Sequence, residues 1–73
     1  MVSGMDALQE AEALRQKLGL SVRAFALRFG LNPRTYAQWA TGQRKPDQTA
    51  QVLLRLIVRH PDLVQRETRR ADR

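Results

Sequence analysis

Residues 22–41, VRAFALRFGLNPRTYAQWAT, read as two short helices joined by a tight turn. The first helix carries Phe25, Ala26 and Phe29 on one face. Gly30 breaks it, as the residue that adopts positive φ without steric penalty. Leu31 plugs the turn. Asn32 and Pro33 then form an N-cap with proline at the first helical position, where its missing N–H costs nothing. Tyr36 and Trp39, three apart, share the inner side of the second helix. Residues 23–46 hold Arg23, Arg28, Arg34, Arg44 and Lys45 and no acidic residue. A compact helix pair in an unbroken positive field suits a reader of duplex DNA.

The punctuation outside this stretch is equally regular. Asp6 caps a first helix in which Leu14 and Leu18 continue the face of Ala7 and Ala11, and Gly19 ends it. Ser21 caps the second helix, and Gly42 closes the third. Gln43-Arg44-Lys45-Pro46 is a basic loop, and Asp47 caps a fourth helix that runs to about His60. Pro61-Asp62 begins a short fifth helix carrying Leu63 and Val64. Residues 67–73 are expected to fray. No period-two run or hairpin signal is present. The expected fold is therefore all-α: a compact bundle of about five short helices, one domain over residues 1–73, with a helix-turn-helix at 21–42.

Composition narrows the function. The 73 residues carry a net charge of +6 and a sequence pI near 11.4, which favours an anionic partner. The charge is uneven: residues 1–22 sum to −1, residues 23–46 to +5 and residues 47–73 to +2. The positive centre is thus not a by-product of general basicity. There is no cysteine, which excludes disulfides and cysteine zinc sites. The opening Met-Val-Ser-Gly-Met lacks the basic and apolar regions of a signal peptide, and no run approaches the ~20 apolar residues of a membrane span. A cytoplasmic protein with no membrane partner is expected. His60 is the only histidine, so no metal site is expected. Its position instead suits the C-terminal dipole of the fourth helix. Ser3 and Ser21 are the only serines, and no histidine lies close to either in sequence. No glycine-rich phosphate loop occurs. Neither an enzyme nor a cofactor is expected.

With Tyr36 and Trp39 inward, the opposite side of the third helix presents Arg34, Ala37, Gln38 and Thr41. Arginine donates two parallel hydrogen bonds to guanine, glutamine pairs bidentately with adenine, and alanine admits the helix to base edges and to a thymine methyl. A solvated surface helix carries such a face as well; the charge pattern and the basic loop favour DNA. Arg44 and Lys45 in that loop, Thr35 beside the face, and Arg23 and Arg28 on the preceding helix are candidate phosphate contacts. So are the free N–H groups behind Ser21 and Asn32.

These residues resemble the twenty-residue helix-turn-helix of lambda-repressor-like (Cro/XRE-type) DNA-binding domains. The likeness rests on Ala26, Gly30 and the apolar set Phe25, Phe29, Leu31, Tyr36 and Trp39. It extends through LRQKLGLS before the motif and WATGQRKP and QVLLRLIVRHPDL after it, segments similar to small phage-type and antitoxin-type autorepressors. The resemblance implies a third helix in the major groove, base contacts at Pro33, Arg34, Ala37 and Gln38, and phosphate contacts at Ser21, Thr35, Arg44 and Lys45. It implies a transcriptional repressor of its own short operon; a homodimer of such a repressor reads a palindromic operator, two half-sites one turn apart. Two departures bear on this. Val22 stands where many members place a phosphate-binding glutamine, and Pro33 has neither a backbone donor nor a polar side chain. Arg34 and Gln38 remain the main readers.

The fourth helix is apolar over an arc more than twice the ~100° that one buried face needs, through Ala50, Val52, Leu53, Leu54, Leu56, Ile57 and Val58. Either the fifth helix folds back over the excess, or a second molecule covers it. A two-fold homodimer through residues 48–66, with Leu54, Leu56, Val58, Leu63 and Val64 at the interface, is the expectation. The alternative is an antitoxin-type interaction module whose C-terminal apolar surface binds a partner protein such as a toxin.

Overall fold

In the computed structural model, which describes residues 6–71, four of the five helices begin where a side chain meets their unpaired N–H groups. Helix α1 spans Ala7–Leu18, α2 Val22–Arg28, α3 Pro33–Ala40, α4 Gln48–Arg59 and α5 Pro61–Ala71. The described residues contain no strand. Asp6 opens α1 with a capping box: its carboxylate accepts from the Gln9 N–H at 2.8 Å, and the Gln9 side chain accepts from the Asp6 N–H at 3.0 Å. Ser21, Asn32 and Asp47 accept from the N–H of Ala24, Thr35 and Ala50 in the same way. Gly19, Gly30 and Gly42 all take positive φ.

The helices enclose one core. Ala7 and Ala11 of α1, Phe25, Ala26, Phe29 and Leu31 of the α2–α3 region, Tyr36 of α3, and Leu54 and Ile57 of α4 are all buried. The alanines are small enough to let helix backbones approach around the aromatic rings. Phe25 packs on Phe29 and Tyr36 with ring centroids 4.9 and 5.4 Å apart, and Tyr36 meets Trp39 edge-on at 6.1 Å. Helix α2 packs on α3, while α1 lies chiefly on α4 and touches α3.

Three expectations are corrected. Leu18, expected on the inner face of α1, is 43 % exposed, because it falls on the last turn before Gly19. Leu54, expected at a dimer interface, is completely buried within the single chain. The tail expected to fray from residue 67 is helical through Ala71, while residues 72 and 73 lie outside the described residues. The physical reason is a contact that sequence spacing does not reveal. Thr68 stands against the α2–α3 turn, so close that a Cβ on Gly30 would come within 2.8 Å of its hydroxyl oxygen. That hydroxyl donates to the Val64 carbonyl at 2.8 Å, and Val64 itself packs on the core. Asp62 in the first turn and Arg69 and Arg70 in the last suit the helix dipole.

Candidate nucleic-acid interface

The orientation of α3 follows from what its inner side holds. Tyr36 is fully buried, and its phenol donates to Glu12 of α1 at 2.5 Å. Glu12 is gripped in turn by Arg15, whose Nε and terminal nitrogen donate to its two oxygens at 3.0 and 2.9 Å. The remaining terminal nitrogen of Arg15 donates to the Leu20 carbonyl at 2.9 Å. One guanidinium thus joins the end of α1 to the carboxylate that holds α3. Burial pushes the Glu12 carboxyl up, but the hydrogen bonds from Arg15 and Tyr36 and the charge of Arg15 outweigh it and hold the group below its ordinary value. For Tyr36, burial first and the Glu12 hydrogen bond second push the phenol well above its ordinary value. The i, i+3 spacing of Glu12 and Arg15 is readable in sequence; their joint purchase on a residue 24 positions away is not.

With Tyr36 facing the core, Arg34 and Thr41 are exposed and Ala37 and Gln38 half-buried on the outward side. The four expected on the reading face are therefore brought together. Half-buried Pro33 opens the helix beside them, and half-buried Thr35 lies at its flank, its N–H committed to Asn32. The Thr41 hydroxyl donates to the Ala37 carbonyl at 2.9 Å, so toward a base it offers only an acceptor.

The basic loop is fastened at both ends. The N–H groups of Gln43 and Arg44 both donate to the Gln38 carbonyl, at 2.9 and 3.2 Å, and the Gln51 side chain donates to the Pro46 carbonyl at 3.1 Å. Arg44 and Lys45 are exposed between these anchors. They are thereby tied to the same α3 residue that carries one of the candidate base-reading side chains. On α2, Arg23 and Arg28 are exposed. Ser21 is exposed too; its oxygen is occupied as a cap acceptor while its hydroxyl proton is still available to donate. Val22 is packed against the core, so apolar contact replaces the polar role that glutamine takes at this position in many lambda-repressor-like domains.

The second candidate surface lies elsewhere. Val52 and Leu56, one turn apart on α4, are 48 % and 43 % exposed, and Leu63 on α5 is 46 % exposed. Helix α5 does fold against α4 through Val64, yet it leaves these three uncovered. Of the five residues expected at an interface, Leu56 and Leu63 are exposed, Val58 and Val64 are half-buried on the core, and Leu54 is inside it. Val52 is an additional exposed member, visible in the sequence as part of the wide apolar arc.

Among the described residues no helix is long and apolar enough to cross a membrane. A family model described as Helix-turn-helix matches residues 12–54, more than half of the chain. No curated protein and no solved structure matches it.

Proposed function

The chain belongs to the lambda-repressor-like (Cro/XRE-type) helix-turn-helix family, and from that premise we propose that it is an autorepressor that binds a palindromic operator as a homodimer. The family is one of DNA-binding transcription regulators rather than enzymes, and double-stranded DNA is the partner. In this reading α3 enters the major groove. Arg34 and Gln38 read bases, Ala37 and Pro33 allow close approach, and Thr41 accepts from a base or water. Ser21, Arg23, Thr35, Arg44 and Lys45 hold phosphates and set the register. The observation that carries the reading is the outward face of α3, where Arg34 and Gln38 stand one helical turn apart and the Gln38 carbonyl fastens the Arg44-Lys45 loop.

The exposed Val52, Leu56 and Leu63 support the homodimer. Two copies joined there would present two α3 helices, and half-sites one turn of DNA, about 34 Å, apart are the geometry such dimers read. The same residues support a second reading, in which a partner protein such as a toxin covers them. Sedimentation of the purified chain separates them: a dimer supports the repressor, and a monomer that self-associates only weakly supports the partner.

The decisive experiment is selection of bound duplexes from a randomised library at near-physiological salt, with the parent chain and with Arg34→Ala. The expected outcome is an enriched palindrome. The variant should lose ~1–3 kcal/mol and its preference at one base pair of each half-site. Uniform weakening on every sequence would remove Arg34 from base readout, and absence of any enriched sequence would overturn the operator reading.

A further inference from the structure

We infer that the C-terminal turns of α5 form a second DNA-backbone contact, in which Arg69 and Arg70, supported by Arg66, bind phosphates flanking the half-site that α3 reads. This rests on the DNA-binding reading above. It starts from the Thr68–Gly30 contact, which places the end of α5 on the α2–α3 turn. That turn is rigid: the Leu31 N–H donates to the Ala26 carbonyl at 2.8 Å, and Gly30 has φ +75. It leads directly into Asn32, Pro33 and Arg34. By chain length alone, Gly30 lies within about 14 Å of Arg34, so α5 ends beside the α3 terminus that dips deepest into the groove in helix-turn-helix complexes.

Arg69 and Arg70 follow Thr68 directly, and Arg66 precedes it by two residues. All three are exposed, whereas Thr68, Val64 and Pro61 are half-buried. At 100° per residue, Thr68, Val64 and Pro61 form one side of the helix, Arg69 stands about 100° from Thr68 on its flank, and Arg66 and Arg70 fall on the far side, in line with Leu63 at the other end of the helix. None of the three pairs with a carboxylate among the described residues, where the one ion pair is that of Arg15 with Glu12. The contact that seats α5 therefore turns an arginine-rich face outward next to the reading helix. Duplex DNA is the polyanion already at that position, and its phosphates continue past the base pairs that α3 covers. Contacts of this kind add affinity and salt dependence without adding sequence preference.

The test compares the full-length chain with Arg69→Gln/Arg70→Gln, since glutamine matches arginine closely in helix propensity. Each protein is titrated with its selected operator in two lengths, one ending at the half-site edges and one extended by several base pairs on each side. The parent should bind the long duplex more tightly. For the double variant that advantage should vanish, binding to the long duplex should fall at least tenfold, and the salt slope should shrink by about 4, two phosphate contacts being lost in each subunit of the dimer. Base preference and melting temperature should be unchanged, and Arg69→Lys/Arg70→Lys should restore the slope. An unchanged length advantage and slope in the glutamine variant would overturn the inference while leaving the operator reading intact. A parent that binds no duplex at all would overturn both.

Discussion

The part of the molecule built from α1, α2 and α3 and the part built from α4 and α5 handle their surfaces in opposite ways. In the first, the aromatic residues close on one another and the half-buried Glu12 and Arg15 are paired within the chain: Tyr36 with Glu12, and Glu12 with Arg15. Leu18 and Leu27 are exposed there, but each is the lone large apolar residue left outside on its helix, an ordinary surface feature. In the second, two exposed residues stand one turn apart on α4 and a third follows on α5. The difference separates two tasks. The first region must hold α3 in one orientation with nothing else present. The second region leaves apolar side chains of α4 and α5 uncovered within the single chain.

Substitutions on either side sharpen or break this contrast. The largest effect is expected for Phe25→Ala, which empties the middle of the aromatic cluster. A loss of about 3–5 kcal/mol is a large share of what so small a domain possesses, so circular dichroism should find most of the chain unfolded at 37 °C. In the other region, Leu56→Glu should leave the melting temperature of the monomer nearly unchanged yet weaken association by about 2 kcal/mol, read by sedimentation as a rise in the dissociation constant. A variant that melts early while remaining dimeric would show that Leu56 belongs to the fold and not to an interface.

Gly30→Ala probes the junction of the two regions. Positive φ alone costs a non-glycine residue about 1–2 kcal/mol, and the methyl group would meet the Thr68 hydroxyl. Combining it with Thr68→Ala should recover the steric part of the loss and leave the backbone part, which a thermal-melt cycle of the four proteins measures. If the double variant recovers nothing, α5 does not rest on the turn.

The smallest effect is expected from the polar link. Tyr36→Phe should cost about 1 kcal/mol at neutral pH and reduce discrimination between operator and random DNA, because α3 loses its tether to α1. Its pH dependence has a definite sign. The Glu12 carboxyl lies below its ordinary value in the folded protein, so its contribution is present above the unfolded value near pH 4.3 and is lost as pH falls through the lower folded value. Glu12→Gln should therefore flatten the acid limb of the stability profile. Tyr36 is shifted upward; its contribution is full below the unfolded value near pH 10 and fades as pH rises further, and Tyr36→Phe should remove that alkaline loss. Urea titrations at several pH values check both limbs.

What the sequence determined by itself is the local part of this protein. Asp6, Ser21, Asn32 and Asp47 each cap through a side chain that reaches only three residues along, and Gly30 turns the chain through its own φ. Helix starts, the turn and the outward position of Arg34 and Gln38 are consequences of spacing, and spacing is written in the chain. Which apolar residues of α4 would be covered is a different kind of question. Leu54 and Leu56 are the same residue type two positions apart, and only the packing of α1 and α5 on α4 makes one core and the other surface. The Glu12–Tyr36 bond and the seat of Thr68 on Gly30 join residues 24 and 38 positions apart, beyond the reach of helical periodicity. Tertiary structure alone decided that α5 stays helical to Ala71 and that Thr68 seats against Gly30, because the partner that holds it there is the turn of a distant helix pair.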